Sequence, residues 1–294
     1  MRNVSHYLAA IAAFTIWGFF SLVLRPMAHY AALDILFYRV FISAVLMLLS
    51  AFVRPRVWKE NRRLFAALPG RDKRGLLFQL FGGGLFLTCN WFCYIYVVNS
   101  VSVKASAFAY LVCPVLTTVL AWAILKEYLS RGQWVAVLMS AAGCGILAFN
   151  HLLDLFYSMI IAFSYAFYLV SQRKDYGADR FLLLSGQVIF SALLLLPFYP
   201  AYRGPVPLEV HFYVSIGFIA IFLTIIPLFL NLYALKQLKS STVGVLMNIT
   251  PLVAFVLALA VFDERVDLQQ VLSYGIIVLS VGVFNWFNPA VRSQ

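Results

Sequence analysis

Long apolar runs separated by short polar connections make up most of this 294-residue chain. A run of about 20 apolar residues is long enough to cross the hydrocarbon core of a bilayer. Because backbone polar groups in hydrocarbon must be bonded within the segment, each such run should be helical. We therefore predict an all-α polytopic membrane protein with ten transmembrane helices. The predicted spans are Ser5–Leu24, Leu33–Val53, Leu76–Asn99, Val103–Leu125, Gln133–Asn150, Leu152–Gln172, Phe181–Ala201, Val210–Leu235, Thr242–Phe262 and Leu268–Phe287.

The composition excludes a soluble globular protein. Apolar residues account for 63% of the chain and charged residues for 11%, whereas soluble proteins carry about 25% charged residues. The net charge of +11 would suggest nucleic acid in a soluble protein, but the basic residues lie between apolar runs, so we predict no nucleic-acid partner. The four cysteines fall inside apolar runs and form no CxxC pair, which predicts buried packing residues and neither a metal site nor a disulfide framework. We also expect no cofactor.

The basic residues are distributed unequally across the predicted membrane. With the N-terminus in the cytoplasm, 17 Lys and Arg residues lie on the cytoplasmic side and 4 on the other side. Cytoplasmic loops typically carry such an excess, so we predict that both termini are cytoplasmic. Eight of the basic residues lie in the connection 54–74, together with Trp58, Leu64 and Phe65. This connection either forms an interfacial helix against anionic lipid or serves only to set the topology.

The chain matches itself at an offset of 137 residues, which indicates an internal repeat. In this register Pro114 falls on Pro251 and Glu127 on Glu264. Both glutamates directly follow a span, and we expect them to tether the connection to the next one. Since five spans are an odd number, the second copy must enter the membrane from the opposite side. We therefore predict two inverted five-helix repeats, 1–150 and 151–294, with a substrate site near the midplane between them, as in secondary transporters.

Several segments resemble EamA-type permeases of the drug/metabolite transporter superfamily, and in particular their RarD-like branch. The resemblance implies a ten-helix carrier of the bacterial inner membrane, with inverted five-helix repeats around a central cavity. It implies a small-molecule substrate, commonly an exported amino acid, related metabolite or drug. A homodimer is one alternative for the oligomeric state. The motifs are Phe14-Thr15-Ile16-Trp17-Gly18, Ile35-Leu36-Phe37-Tyr38-Arg39-Val40, Asn90-Trp91, Lys104-Ala105-Ser106 with Tyr110 and Pro114, Glu127 with Gln133-Trp134, and Ser164-Tyr165-Ala166-Phe167-Tyr168.

Arg39 is a basic residue inside a predicted span. It lies about six residues from the outer end of the second span, and an ionisable group at such a depth is costly enough to indicate a functional site. Its guanidinium could hold a substrate carboxylate or phosphate through two parallel hydrogen bonds. Alternatively, the side chain snorkels to the outer interface or bonds backbone carbonyls.

Polar and aromatic side chains on several spans predict the lining of a substrate path. Such a lining is typical of small-molecule sites, although interhelical hydrogen bonds and ring packing explain the same residue types. Prolines within the predicted helices are candidate hinges, because each frees a backbone carbonyl and can bend its helix. The predicted substrate-binding residues are Trp17, Arg39, Asn90, Tyr94, Tyr110, Tyr165, Tyr168, Asn231 and Asn248, and the predicted hinges are Pro114, Pro227 and Pro251.

These patterns favour a secondary transporter that exports a small metabolite, such as an amino acid or a drug-like compound, by alternating access. A lipid flippase or scramblase on the same scaffold is the main alternative, and it would favour basic residues at both leaflets. An intramembrane enzyme is a further alternative, but the sequence contains no HExxH, GxSxG or P-loop motif. We predict no catalytic residue. No Asp or Glu lies deep in a predicted span, so a buried carboxylate proton relay is not supported.

Overall fold

The computed structural model describes residues 4–27, 29–100, 103–148, 152–261 and 268–287. Within these ranges all regular structure is helical, as the apolar runs predict. In chain order the helices are α1 (Val4–Met27), α2 (Ala32–Val53), α3 (Pro55–Ala67), α4 (70–100), α5 (Val103–Leu125), α6 (Arg131–Ala148), α7 (Leu152–Ser171), α8 (Arg180–Leu195), α9 (Tyr199–Tyr202), α10 (Val210–Leu235), α11 (240–260) and α12 (Leu268–Trp286).

Six helical segments in the described part of the chain are long and apolar enough to cross a membrane, which agrees with a multi-pass membrane protein. Shorter apolar helical stretches occupy the positions of the fourth, sixth and seventh predicted spans, and α6 occupies that of the fifth. Large apolar side chains on the outside of the bundle, such as Phe52, Leu153 and Leu279, are more than half exposed and suit contact with lipid. The six segments are Val4–Met27, Ala32–Val53, Gly70–Tyr94, Val210–Leu235, Ser240–Leu257 and Leu268–Trp286.

The cysteines differ in their surroundings. Cys113 and Cys144 are buried and donate to the carbonyl oxygens of Ala162 and Leu111. Cys93 is half-buried and Cys89 is exposed. The prediction of buried packing is therefore wrong for Cys89, because this residue lies on a side of α4 that the other helices do not cover.

The two halves of the chain pack against each other and do not form separate bundles. Helix α5 lies along α7, α6 along α12, and α2 along α8, while α1 contacts α10 and α11. One large buried cluster includes apolar residues from both halves, among them Phe14, Leu87, Leu169 and Leu232. Each interhelical surface named here therefore joins an element of the first half to an element of the second.

Two helices contain a π-helical turn, at Phe78–Gly82 in α4 and at Ile219–Ile225 in α10. Such turns widen the helix and are frequent at functional sites. In α10, the carbonyl oxygen of Leu223 accepts a hydrogen bond from the indole Nε1 of Trp17 on α1 (3.0 Å). A side chain of the first half thus binds backbone that the π turn exposes in the second half.

Three buried glutamines meet at the π turn of α4. We call them the glutamine cluster, and they are Gln79 in the turn itself, Gln172 and Gln187. Gln187 Nε2 donates to the Gln79 carbonyl oxygen (2.7 Å) and to Gln172 Oε1 (2.9 Å). Gln172 Nε2 donates to the same Gln79 carbonyl (3.1 Å), and all three residues are at most 2% exposed. The cluster therefore fastens α4 to α7 and α8 at the end of the bundle near the basic connection 54–74.

Glu127 joins the two halves at the same end of the bundle. Its carboxylate accepts hydrogen bonds from the backbone N–H groups of Ser240 (2.8 Å) and Ser241 (3.0 Å) and from the Ser241 hydroxyl (2.6 Å). A carboxylate at this place satisfies N–H groups that a helix start leaves unpaired. The expected tether from Glu127 to the next span is therefore wrong, since its partners begin α11.

The connection after Glu127 is closed in a different way. Ser130 Oγ accepts from the Gln133 N–H (3.3 Å), and Gln133 Oε1 accepts from the Ser130 N–H (3.0 Å). This reciprocal pair is a capping box at the start of α6, so the carboxylate is free to bind elsewhere. Glu264, for which the same tether was expected, lies outside the described residues.

At the other end of the bundle, the α1–α2 connection and the first turn of α2 contact the segment between α8 and α10. Asp34 Oδ1 accepts from the Gly204 N–H (3.0 Å), and the Tyr30 hydroxyl donates to the Glu209 carboxylate. This hydrogen bond, which only the protonated phenol can donate, raises the pKa of Tyr30 to about 12. The contact therefore persists at neutral pH.

The predicted hinge prolines lie in helices, at sites of differing regularity. Pro114 is inside the continuous helix α5. Pro227 lies two residues after the π turn of α10, and Pro251 follows a break in α11 at Met247 and Asn248. A bend at these positions stays a prediction.

Substituting Gly83 should destabilise the fold by disrupting the glutamine cluster. A Cβ at this position would lie 2.5 Å from the side-chain nitrogens of both Gln172 and Gln187, so we expect Gly83→Ala to lower the free energy of unfolding by about 1–3 kcal/mol. At Gly145 a Cβ would meet nothing within 4 Å. Gly145→Ala should stabilise the helix by about 0.4–1 kcal/mol. Unfolding of the two purified variants in detergent checks this, and equal midpoints would contradict it.

Replacing Glu127 by Gln should also destabilise the protein, because one carboxylate accepts three hydrogen bonds there. Hydrogen bonds to charged groups contribute about 1.5–3 kcal/mol each, and the amide retains one acceptor oxygen. We expect Glu127→Gln to unfold at a clearly lower temperature than the wild type in detergent. Glu60→Gln, which removes the same charge from an exposed position on α3, is the matched control. Similar unfolding temperatures for the two variants would refute the role assigned to Glu127.

Candidate substrate site

Arg39 on α2 is surrounded by aromatic residues of three other helices. Its guanidinium carbon lies 5.3 Å from the ring centre of Trp91 on α4 and 5.9 Å from that of Phe20 on α1. Tyr94 on α4 and Tyr110 on α5 also lie near the guanidinium. Aromatic faces attract a cation within about 6 Å, and these rings hold the guanidinium in place.

No acidic side chain in the described part of the chain forms an ion pair with Arg39. Its Nε is buried and has no hydrogen-bond partner, although a guanidinium carries five N–H donors. The side chain as a whole is half-buried. A partly desolvated cation without a counter-ion is expensive, and its unpaired Nε–H makes this position suitable for binding an anion.

Tyr94 and Tyr110 connect Arg39 to the interior of the bundle. Their ring centres are 5.7 Å apart at an angle of 60°, so α4 and α5 contact each other through these rings. Tyr110 in turn packs against the large buried cluster that contains Tyr165 on α7. The aromatic residues thus continue from the cation into the second half of the chain.

Tyr165 lies at the centre of the predicted lining. Its hydroxyl accepts a hydrogen bond from Asn231 Nδ2 (2.9 Å). Its ring contacts that of Trp17 with 6.0 Å between centres, and that of Tyr168 with 5.6 Å. The structure therefore brings together Trp17, Tyr165, Tyr168 and Asn231 from α1, α7 and α10.

The three predicted asparagines have different surroundings. Asn90 Nδ2 donates to the Ile161 carbonyl (2.9 Å) and to Ser164 Oγ (3.3 Å), and these hydrogen bonds join α4 to α7.

Asn248 Nδ2 donates to the Val245 carbonyl of its own helix (3.2 Å), and its side chain lines a small cavity of about 10 Å³ with Pro114. Both Asn231 and Asn248 retain a buried Oδ1 without a partner. Asn248 thus belongs to a different cavity, while Asn231 joins the tyrosines.

Exposure divides the predicted residues into two groups. Arg39, Trp17, Tyr94 and Tyr110 are half-buried. The other members are at most 6% exposed and lie within the bundle. The buried members are Asn90, Tyr165, Tyr168, Asn231 and Asn248.

The sequence prediction omitted several residues that the structure places at or near this site. Phe20 and Trp91 flank the guanidinium, and Gln187 belongs to the glutamine cluster, into which Tyr168 donates (3.4 Å to Gln187 Oε1). A systematic search for amides inside apolar runs would have found Gln187, which lies within the seventh predicted span. The side chains of the Lys104-Ala105-Ser106 motif are outside those described.

Comparisons with known proteins agree with this architecture. The model of the EamA-like transporter family matches the chain twice, at residues 4–149 and 152–286. The chain is 28% identical over 275 residues to the uncharacterized transporter YojE of Bacillus subtilis, covering 93% of this chain and 91% of that protein. It is 25% identical over 287 residues to protein RarD of Escherichia coli, covering 94% and 92%.

A crystal structure of another protein superimposes on this chain with a TM-score of 0.75, covering 96% of this chain and 98% of that one at 16% identity. This likeness shows a shared fold. The family matches extend over nearly the whole chain, and the relatives named above are a transporter and RarD. The chain therefore belongs to the EamA-like transporter family, as a RarD-like membrane transporter of the drug/metabolite kind.

Proposed function

We propose that this protein exports small metabolites that carry an anionic group, such as amino acids or drug-like acids, across the bacterial inner membrane. The observation that carries the proposal is the Arg39 guanidinium, which is partly desolvated, held by aromatic rings and unpaired by any acid among the described residues. A carboxylate or phosphate of the substrate would supply the missing partner through two hydrogen bonds.

The remaining predicted residues act around this anchor. Trp17, Tyr94 and Tyr110 are half-buried like Arg39 and would contact apolar or aromatic parts of a substrate. The buried residues Asn90, Tyr165, Tyr168, Asn231 and Asn248 would border the path as the helices move. Pro114, Pro227 and Pro251 would allow the helices that carry them to bend.

We propose ten transmembrane helices arranged as two inverted repeats of five. The double match of the family model supports this division. So does the packing. When each helix of one half is replaced by the corresponding helix of the other half, each contact named below becomes another observed contact or itself. The α1–α10 contact corresponds to α7–α4, the α1–α11 contact to α7–α5, and the α2–α10 contact to α8–α4. Three further contacts each join a helix to its own counterpart in the other half, namely α2–α8, α5–α11 and α6–α12.

The same correspondence between the two halves supports alternating access. Arg39 and Gln187 each lie seven residues after the first residue of their helices, α2 and α8, so they occupy equivalent positions at opposite ends of the bundle. Near the basic end, the glutamine cluster joins α4 to α7 and α8, and Glu127 joins α5 to α11. Opening that end requires these hydrogen bonds to break, which a rocking motion of the two halves would accomplish.

Removing the charge at Arg39 should strongly reduce transport of anionic substrates. We expect Arg39→Gln to reduce counterflow at least about tenfold, because hydrogen bonds to a charged group contribute about 1.5–3 kcal/mol. Arg39→Lys keeps the charge but loses the fork of donors, so it should retain intermediate activity. Counterflow in proteoliposomes with labelled amino acids, organic acids and amphenicol drugs measures this.

Arg203→Gln provides the matched control for the Arg39 variants. Arg203 is an exposed arginine that also lies over an aromatic ring, with 5.8 Å to the centre of Tyr199, and its loss should leave counterflow close to that of the wild type. Unchanged counterflow of every anionic compound in folded Arg39→Gln would overturn the assigned role. If the wild type exchanged no compound above protein-free vesicles, lipid translocation would become the better candidate.

The proposed orientation has both termini and the basic connection in the cytoplasm. In a variant without the native cysteines, Arg203→Cys should react with a membrane-impermeant maleimide in intact cells. Arg63→Cys, an equally exposed position on α3, should react only in inverted membrane vesicles. The reverse pattern of labelling would refute the orientation.

A further inference from the structure

The basic connection between α2 and α4 covers an apolar cavity of about 700 Å³. Helix α3 lies over the cavity, and the end of α2, the start of α4 and the start of α8 form its walls. Phe52 is 75% exposed and Leu48 is 45% exposed at its edge, so the cavity is continuous with the lipid-facing surface. Its volume falls within the roughly 300–1,000 Å³ of sites that hold small ligands.

Helix α3 is fixed over this cavity by specific contacts. Asn61 Oδ1 accepts a hydrogen bond from the backbone N–H of Asp179, which precedes α8 (2.9 Å). The Arg54 guanidinium lies 5.1 Å from the ring centre of Phe181. Beyond the end of α3, Lys174 forms an ion pair with Asp72 (2.8 Å). The cavity is therefore a built feature of the fold, with a roof held at several points.

The polar residues at the cavity carry a net positive charge. Lys59 and Arg62 line it from α3, and both are exposed and form no ion pair with a residue that the structure describes. The carboxylate among the lining residues is Asp179, whose Oδ1 already accepts the Leu182 N–H at the start of α8 (2.8 Å). Two cations thus remain available to an anionic group at the mouth of an apolar space.

We propose that this cavity binds an acyl chain of an anionic phospholipid, with the headgroup phosphate between Lys59 and Arg62. An apolar space next to hydrocarbon gives water no partners for its hydrogen bonds, whereas an acyl chain fills it with favourable contacts. Cations next to a membrane surface select anionic lipid. The site requires only that the chain spans a membrane, so it does not depend on the transport substrate.

Quenching of Trp58 fluorescence tests the site, because Trp58 lines the cavity. The protein is reconstituted in phosphatidylcholine vesicles that contain a small fraction of phosphatidylglycerol with brominated acyl chains. The Trp58→Phe variant gives the signal of the other five tryptophans, which is subtracted. We expect brominated phosphatidylglycerol to quench Trp58 more strongly than brominated phosphatidylcholine at the same mole fraction.

Charge variants of one helix provide the control. The double variant Lys59→Gln, Arg62→Gln should weaken the preference for phosphatidylglycerol by roughly fivefold for each cation removed. The double variant Arg56→Gln, Arg63→Gln removes the same charge from exposed positions that do not line the cavity, and it should keep most of the preference. If both double variants lose it equally, general attraction to the surface explains the binding and the site is refuted.

A second pair of variants tests the cavity without changing charge. Ala51→Phe fills the space from α2, whereas Ala66→Phe adds the same side chain at an exposed position outside it. Preferential quenching should disappear in the first variant and persist in the second. Equal quenching by both brominated lipids in the wild type, or preferential quenching that survives Ala51→Phe, would overturn the proposal. Counterflow activity is not used in this test, so its failure and that of the proposed transport function are distinguishable.

Discussion

Backbone hydrogen bonding in hydrocarbon is the constraint on which this structure depends. Regular α-helices meet it within each segment, and irregular backbone must find other partners. The two π turns, at Phe78–Gly82 and Ile219–Ile225, are the places where this becomes visible. Gln172 and Gln187 donate to one exposed carbonyl, and Trp17 donates to the other. In each case the donor comes from the opposite half, so the irregular turns are also points where the halves hold each other.

Arg39 and Gln187, which the proposed repeat places at equivalent positions, differ in charge and in hydrogen bonding. Gln187 is neutral, and its amide is bonded within the glutamine cluster. Arg39 is a cation whose Nε has no partner. A polar group that is satisfied by its neighbours favours closure of its end of the bundle, whereas an unsatisfied cation favours a ligand. The asymmetry arises from side chains, since both residues lie seven residues after the first residue of their helices.

The sequence predicted the helices well because the apolar runs are long and the basic residues separate them. It also grouped Trp17, Tyr165 and Asn231, which do contact each other, since polar and aromatic side chains in apolar spans tend to face one another. The partner of Glu127 was not predictable, because a carboxylate after one helix can cap any helix start that the fold brings near. The π turns were missed for a related reason: they depend on donors from distant helices and leave no periodicity in the local sequence.

The proposed lipid cavity and the glutamine cluster share helix α8. Gly186 and Leu182 line the cavity, while the adjacent Gln187 belongs to the glutamine cluster. A Cβ at Gly186 would lie 2.4 Å from a methyl carbon of Leu80 on α4, so glycine permits the two helices to approach closely there. Both helices form walls of the cavity. Any separation of α8 from α4 that opened the glutamine cluster would therefore also widen the cavity. An acyl chain in that cavity would therefore respond to the motion that the proposed alternating access requires, because occupancy and opening act on one interhelical contact.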